Sequence, residues 1–443
     1  MNTKVKALGI LAGCGLALAW AGAVRAQELR LEDLIQEALA HNPELQARAE
    51  EWSAAKEQVP QAGALPDPML TLGVMSLPVD SWSFNREPMT QKTVEVSQAF
   101  PFPGKRPLLT EAKKAERDAA ESKLRALQNQ VTCEVRQAYA ELYYLDHALE
   151  VTRQNQELLR QFIQVAGALY AVGKGLQQDV LKAQVELSML LDQEIMLTQD
   201  RKMAAANLNR LLGRDPSAAL ESARRLDLEP LPADAKALAE KAAAANPELA
   251  EADRMVAESQ ALARLAQRSY YPDFTVMLGY GFREDVTMAG NRVEQSDLVS
   301  GSVGFNLPIY SFRKQSKQAA EGRARVQERR HEREDRAWRV REEVAATYAQ
   351  AERAWRQIQL YQGGIIPQSE NSLKSAMAGY QVNKVDFLTL LDSQKTLYDL
   401  EIRLRRRQAD YSRAIARLDE LSARPVAEIV QSAAGLKLET PEK

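Results

Sequence analysis

Cysteine is almost absent from this chain, whose 443 residues hold only Cys14 and Cys133. The first lies in an N-terminal apolar stretch that reads as a cleaved leader, so the mature chain keeps Cys133 alone and an intrachain disulfide is excluded. Within a helical pattern, Cys133 reads as a small buried apolar side chain. Histidine is as scarce. His41, His147 and His331 are scattered, and no two share metal-ligand spacing on one helix. No catalytic constellation can be assembled, so the chain reads as a non-enzyme without a cofactor or metal centre. Beyond residue 26 there is no run of eighteen apolar residues, which excludes a transmembrane helix. An excess of basic charge is missing too. Removing Lys4, Lys6 and Arg25 with the leader takes the formal net charge from −2 to −5, so nothing points to nucleic acid.

What is present starts with that leader. Lys4 and Lys6 open it, an apolar run spans 7–24, and Val24-Arg25-Ala26 offers small residues at a cleavage site before Gln27. A second reading takes Leu11-Ala-Gly-Cys14 as a lipoprotein box with Cys14 acylated. Either way the protein is exported, which leaves the periplasm, secretion or a β-barrel.

The mature chain is one unit of about 200 residues written twice. Residues 170–187 and 380–397 align over eighteen positions without a gap, with Tyr170, Val172, Lys174, Leu181, Gln184 and Leu187 identical to Tyr380, Val382, Lys384, Leu391, Gln394 and Leu397. Asn42-Pro43-Glu44-Leu45 recurs as Asn246-Pro247-Glu248-Leu249, and Phe100-Pro101 as Leu307-Pro308. The units are 27–216 and 235–424, joined by a linker at 217–234 and followed by a tail at 425–443.

Each unit opens with a helix, at 31–57 and 235–268, broken by its Asn-Pro step because the residue before proline avoids helical geometry. Pro60, Pro66 and Pro68 close the first, and Tyr271-Pro272 closes the second. The period then changes to two. Phe274, Val276, Leu278, Tyr280 and Phe282 alternate with small or polar residues, as do Val299, Val303, Phe305 and Leu307 after a polar stretch. The first unit shows a weaker pair around Leu70, Leu72 and Val74, then Val94 and Val96. Such segments fit transmembrane strands, and they fit equally a hairpin packed on a soluble core.

A very long helix follows each strand pair. Residues 105–171 hold no proline after Pro107, which predicts 67 residues or roughly 100 Å of helix if continuous. Only a coiled coil or bundle covers such an element. The chain reverses near Gly173 and Gly175 and returns to Leu212, where Gly213-Arg-Asp-Pro216 stops it. The second unit repeats this from 313 to 377 and back to 422, with a kink expected at Gly363-Gly364 and Pro367.

Four strands per chain cannot close a barrel, which needs about eight or more. Open edges are not tolerated in lipid, where each unpaired peptide group costs several kcal/mol. Membrane strands here therefore require other copies, two giving eight strands and three giving twelve.

The doubled plan of helix, strand pair and long helical hairpin, with its Asn-Pro-Glu-Leu openings and Tyr-x-Val turns, resembles the TolC family of outer-membrane factors over essentially the whole mature chain. The resemblance implies a mainly α fold with membrane β: a homotrimer with a twelve-stranded barrel in outer-membrane lipid and a periplasmic α-helical tunnel. It implies a passive exit channel served by a periplasmic adaptor and an inner-membrane pump, in a Gram-negative cell. Pro66-Asp-Pro-Met69 and Phe100-Pro-Phe-Pro-Gly104-Lys-Arg106 look most like the heavy-metal efflux branch. Two alternatives remain, a type I secretion outlet for a polypeptide and a periplasmic coiled-coil adaptor.

The same resemblance places the periplasmic gate at the helix turns, where polar links and rings of aspartate close the tunnel by inward coiling of the second helix pair. Asp392 matches one ring position and Thr389 stands where the other aspartate would be. Three symmetry-related carboxylates at a constriction would concentrate cations. Asp179 and Tyr380 match two members of the polar link. Val385 occupies the position of the linking arginine, with Lys384 beside it as the candidate substitute. The second copy is thus the candidate moving gate and the first its frame. Met69, Met75 and Met89 cluster around the first strand pair, where thioethers suit Cu(I) or Ag(I) and equally suit an apolar strand face.

Overall fold

The computed structural model describes residues 29–423, apart from 229–230, 232–233 and 289. The expected leader with Cys14, and the tail at 425–443, lie outside the described residues. In chain order the first repeat runs α1 (Leu31–His41), α2 (Pro43–Gly63), β1 (Met69–Met75), β2 (Gln91–Phe100), α3 (Lys105–Ala171) and α4 (Gln177–Leu212). The second runs α5 (Ala235–Ala245), α6 (Pro247–Arg268), β3 (Phe274–Phe282), β4 (Val286–Met288), β5 (Asn291–Val293), β6 (Leu298–Phe305), α7 (Gln315–Leu360), a π-helical turn (Tyr361–Ile365), α8 (Ile366–Gln381) and α9 (Phe387–Ser422).

The Asn-Pro steps do more than break a helix. Asn42 caps α2, its Oδ1 accepting from the amides of Glu44 at 2.9 Å and Leu45 at 3.3 Å, while its Nδ2 donates to the carbonyl of Leu211 at 3.0 Å. Asn246 repeats the arrangement with Glu248 at 2.9 Å, Leu249 at 3.3 Å and the Leu421 carbonyl at 3.0 Å. One side chain thus serves the free amides of one helix and a free carbonyl of another. It brings the start of α2 onto the end of α4, and the start of α6 onto the end of α9. Gly213 completes the first junction: it takes φ 72°, and a Cβ there would lie 2.8 Å from the His41 carbonyl oxygen.

The proline expected to end the first opening helix does not. Pro60 lies inside α2, which runs on to Gly63. A proline near a C-terminus forfeits one backbone bond, and the helix needs only a few more residues before it stops. The long helix α3 covers the expected span without a break. In the second repeat the interruption at Gly363-Gly364 takes the form of the π-helical turn, in which the Ile366 amide donates to the Tyr361 carbonyl.

Four strands form one antiparallel sheet in the order β1-β2-β3-β6, so the seam between repeats is β2 against β3. β1 and β6 are its open edges and are exposed along their whole length. The polar stretch between β3 and β6 holds a second hairpin, β4–β5, too short for a periodicity to reveal.

Each repeat has its own apolar core. Leu34, Ala38 and Leu45 pack on Val135, Leu142 and Leu208 in the first, and Leu238 and Leu249 pack on Val344, Tyr411 and Leu418 in the second. A third core lies near the turns, where Phe162 and Leu190 meet Tyr380, Phe387 and Leu390. Between the repeats, α3 and α9 are also joined by a series of polar pairs: Arg136 with Asp419, Glu141 with Arg406 at 2.9 Å, Tyr143 with Gln408 at 3.0 Å, Thr152 with Tyr398 at 3.1 Å, and Asn155 with Gln394 at 2.8 Å. Cys133 is buried, and burial pushes its thiol far above the usual range, as expected of an inert packing residue.

Candidate functional site

The two helical turns have one backbone design. In the first, the amides of Gly173 and Lys174 donate to the carbonyls of Tyr170 at 3.0 Å and Leu169 at 2.8 Å. In the second, Asn383 and Lys384 donate to Tyr380 at 3.0 Å and Gly379 at 2.9 Å. This is the nested pair of bonds that closes a helix through a left-handed residue. Gly173 supplies that residue with φ 72° and Asn383 with φ 58°, asparagine being the side chain that tolerates the region best.

Gly175 serves another purpose, since a Cβ on it would lie 3.0 Å from the Cβ of Leu169. At the matching positions the sizes are exchanged. Gly379 stands where the first turn has Leu169, and Val385 where it has Gly175. A Cβ on Gly379 would lie 2.5 Å from Cγ2 of Val385. Each turn therefore carries one bulky residue and one glycine in contact, on opposite sides. Val385 fills that space and takes no part in a polar link.

The turns also touch each other. Asn383 Nδ2 donates to the Lys174 carbonyl at 3.3 Å, a tie that Gly173, having no side chain, has no means to copy. Tyr380 is 5% exposed and its ring meets that of Phe387 at 5.5 Å. Burial and then the Asp179 carboxylate push its hydroxyl up from its ordinary pKa. Asp179 is thus its charged neighbour across the seam between the repeats. Asp179 itself stands in the first turn of α4. Lys384 is exposed and its side chain makes no hydrogen bond or ion pair among the described residues. Asp386 caps α9 through the Thr389 amide at 3.3 Å, and the Thr389 hydroxyl and amide hold its carboxyl below the usual range. Thr389 is thus engaged in the cap. Asp392 is exposed one turn further along α9. The structure therefore gathers Asp179 with Tyr380 and Asp386 with Thr389, and leaves Lys384 and Asp392 facing outward.

Sequence reasoning marked Asn383 only as a difference from Gly173 between the two copies, and it missed Asp386 and the exchanged glycine, although all lie in or beside the repeated block. The methionines do not form a ligand set. Met69 and Met75 end the same strand, roughly 20 Å apart, and Met75 Sδ accepts from Gln91 Nε2 at 3.2 Å. No group of three or more His, Cys, Asp or Glu suited to a metal occurs among the described residues.

An internally doubled chain of long helical hairpins, with a small sheet whose two edges lie open, defines a class of helical conduit proteins. A family model described as "Outer membrane efflux protein" matches residues 34–214 and 238–424, and the chain belongs to that family. It is an outer-membrane efflux channel protein with a large periplasmic part, not an enzyme. The cobalt-zinc-cadmium resistance protein CzcC of Cupriavidus metallidurans is 21% identical over 375 residues, 85% of each chain. The alkaline protease secretion protein AprF of Pseudomonas aeruginosa is 26% identical over 314 residues, 68% of this chain and 62% of AprF. Among solved structures, the transmembrane channel CusC superposes with a TM-score of 0.74 at 18% identity, covering 89% of this chain and 91% of that one. The mainly helical, doubled fold read from the sequence is therefore that of a known channel.

Proposed function

We propose that three copies of this chain form the exit duct of a tripartite efflux system, with a twelve-stranded barrel in the outer membrane and a gate at the helical turns. The observation that carries it is a difference between identical residues. Tyr380, Leu391 and Gln394 are packed against the first repeat, Tyr380 at 5% and Gln394 at 1% exposure. Their counterparts Tyr170 and Leu181 are 49% and 53% exposed, and Gln184 is exposed as well. The same letters are covered where a neighbouring repeat exists and bare where the chain ends. A second copy supplies the missing neighbour, and a closed ring leaves none of them bare.

Fractionation is the test. A heat-modifiable trimer in the outer membrane supports the duct, and a soluble monomer rules it out. At the gate, Asp179 and Tyr380 face each other across the seam between the repeats, with Lys384 and Thr389 beside them. Asp392 supplies a carboxylate ring that favours cations. Unchanged cation selectivity and divalent block in single channels of Asp392→Ala would remove that role.

The likeness to CzcC favours heavy-metal cations as cargo, delivered by a periplasmic adaptor and an inner-membrane pump. The likeness to AprF favours a second reading, an outlet for a secreted polypeptide. A deletion strain separates them: the first loses growth in zinc, cobalt or cadmium, the second loses a protein from its medium.

A further inference from the structure

Within the chain, the seam between β2 and β3 is fastened at its helix-side end by a compact lock. Tyr271-Pro272-Asp273 leads into β3. Asp273 Oδ1 accepts from the Phe102 amide at 2.6 Å and from Lys105 Nζ at 2.7 Å. Lys105 Nζ also donates to the Tyr271 carbonyl at 2.9 Å, and the Phe102 ring stacks on Tyr271 at 4.5 Å. One half of the lock is an x-Pro-Asp step before a strand. The other is an x-Pro-x step after the neighbouring strand, followed by a basic residue.

Both halves are written again at the open edges. Leu65-Pro66-Asp67 precedes β1, and Leu307-Pro308-Ile309 follows β6, ahead of Arg313 and Lys314. Here neither half has its counterpart. Asp67 and Lys314 make no side-chain hydrogen bond or ion pair among the described residues, and Arg313 lies only over the Phe312 ring at 5.6 Å. Leu307, Ile309, Tyr310 and Phe312 are 66–72% exposed, while the matching Phe102 is half-buried in its lock.

The strand order settles the geometry. Four antiparallel strands make β6 of one copy run opposite to β1 of the next, as β2 runs opposite to β3. All the helix-side ends then meet, which brings Asp67 to the level of Arg313. We propose that these segments are a second lock, closed between copies: Asp67 of one copy pairs with Arg313 of the next, with Lys314 beside it, and Ile309 seats against Leu65 as Phe102 seats on Tyr271. One residue, Phe312, is inserted ahead of the basic pair, so the ion pair is reproduced and the aromatic stack becomes an aliphatic contact. The contact uses different surfaces on the two partners, so it propagates from copy to copy, and in the trimer proposed above the third copy meets the first. Opposite charges at the two edges also set the strand register and disfavour pairing of like edges. This lock rests on the ring reading given above.

The test uses the full chain in outer membranes. With Asp67→Cys and Arg313→Cys in one chain, a short thiol cross-linker is expected to convert most chains into covalent dimers and closed trimers. Cys133 is buried and contributes little background. Asp273→Cys with Lys105→Cys, the matching pair, is expected to link within one chain only. Separately, Asp67→Lys is expected to lower the temperature at which the oligomer falls apart, and Arg313→Asp with Lys314→Asp in the same chain to restore it. If trimers form but neither the cross-link nor the charge-swap rescue appears, the lock is wrong and the ring stands. If the wild-type chain is monomeric in the membrane, the ring and the lock fall together.

Discussion

The two outgoing helical spans have the same length and a different build. Lys105–Ala171 is one helix of 67 residues. The matching span of the second repeat, 315–381, is also 67 residues but is α7, a π-helical turn and α8. Pro367 has no amide to offer the Gly363 carbonyl, and the ladder adapts by a wider bond there. Gly363 and Gly364 are not demanded by space, since a Cβ on either would meet nothing within 4 Å. Neither has a positive φ. Two glycines that packing does not require, beside a proline, make a joint in one hairpin that the other lacks. The joint lies between the second repeat's core, which includes Ile358 and Leu404, and the turn core with Tyr380 and Phe387. Where the repeats agree they are anchored alike, and where they differ it is the second whose outgoing helix is interrupted.

The largest expected effect tests the agreement. Asn42 and Asn246 are 4% and 5% exposed and make the same three bonds. Replacing either by alanine removes a cap, about 1 kcal/mol, and leaves a buried carbonyl without a partner, about 1–3 kcal/mol. Asn42→Ala and Asn246→Ala are therefore expected to lower the unfolding midpoint by similar amounts, in thermal melts of detergent-extracted protein. A large loss at one and none at the other would show that the repeats are not anchored alike.

Next in size is the exchanged pair at the turns. Gly379→Leu forces a side chain into Val385, and overpacking of this kind costs about 1–3 kcal/mol. Adding Val385→Gly recreates the pairing of the first turn and is expected to recover most of the loss. Failure of the double variant to recover, read from the same melts, would mean that the turns differ in more than this exchange.

Smaller still is the joint. Gly363→Ala and Gly364→Ala fit without a clash and are each expected to stabilise by roughly 0.5–1 kcal/mol. Hydrogen exchange across 361–367 is expected to slow toward the rate of the matching part of α3. An unchanged rate would assign the joint to Pro367 alone.

Much of this was legible. A proline-free stretch of helix formers admits little but one long helix, and alternation located all four strands of the sheet. What escaped depended on distance or on identity. The Asn-Pro-Glu-Leu repeats were plain, but their carbonyl partners lie 169 and 175 residues away, and no local pattern announces a bond across that span. Tyr170 and Tyr380 are the same letter, so nothing in them tells which is buried. The exchange of Leu169 and Gly175 for Gly379 and Val385 hid for the opposite reason, since attention to identical positions passes over those that vary together. Pro60 misled because proline ends helices often, though not always at itself.

The smallest effect separates the turns by acid. Asp386 caps α9, whereas Leu176, at the matching place before α4, makes no side-chain cap bond. The Thr389 hydroxyl and amide hold the Asp386 carboxyl below its unfolded value, near 3.9. A depressed carboxylate contributes stability that is present above the unfolded value and lost as pH falls through the folded one. Acidification below about pH 4 is therefore expected to release the start of α9 and leave α4 unaffected by this route. The effect is modest because the group is fully exposed. The measurement is the protection of the Thr389 and Leu390 amides relative to the Asp179 and Val180 amides, corrected for intrinsic exchange, as pH is lowered. In Asp386→Asn, where an amide oxygen still accepts but does not titrate, the two turns should respond alike. If the wild-type turns already do so, the difference between the repeats lies in the joint and the exchanged glycine, and the cap has no share in it.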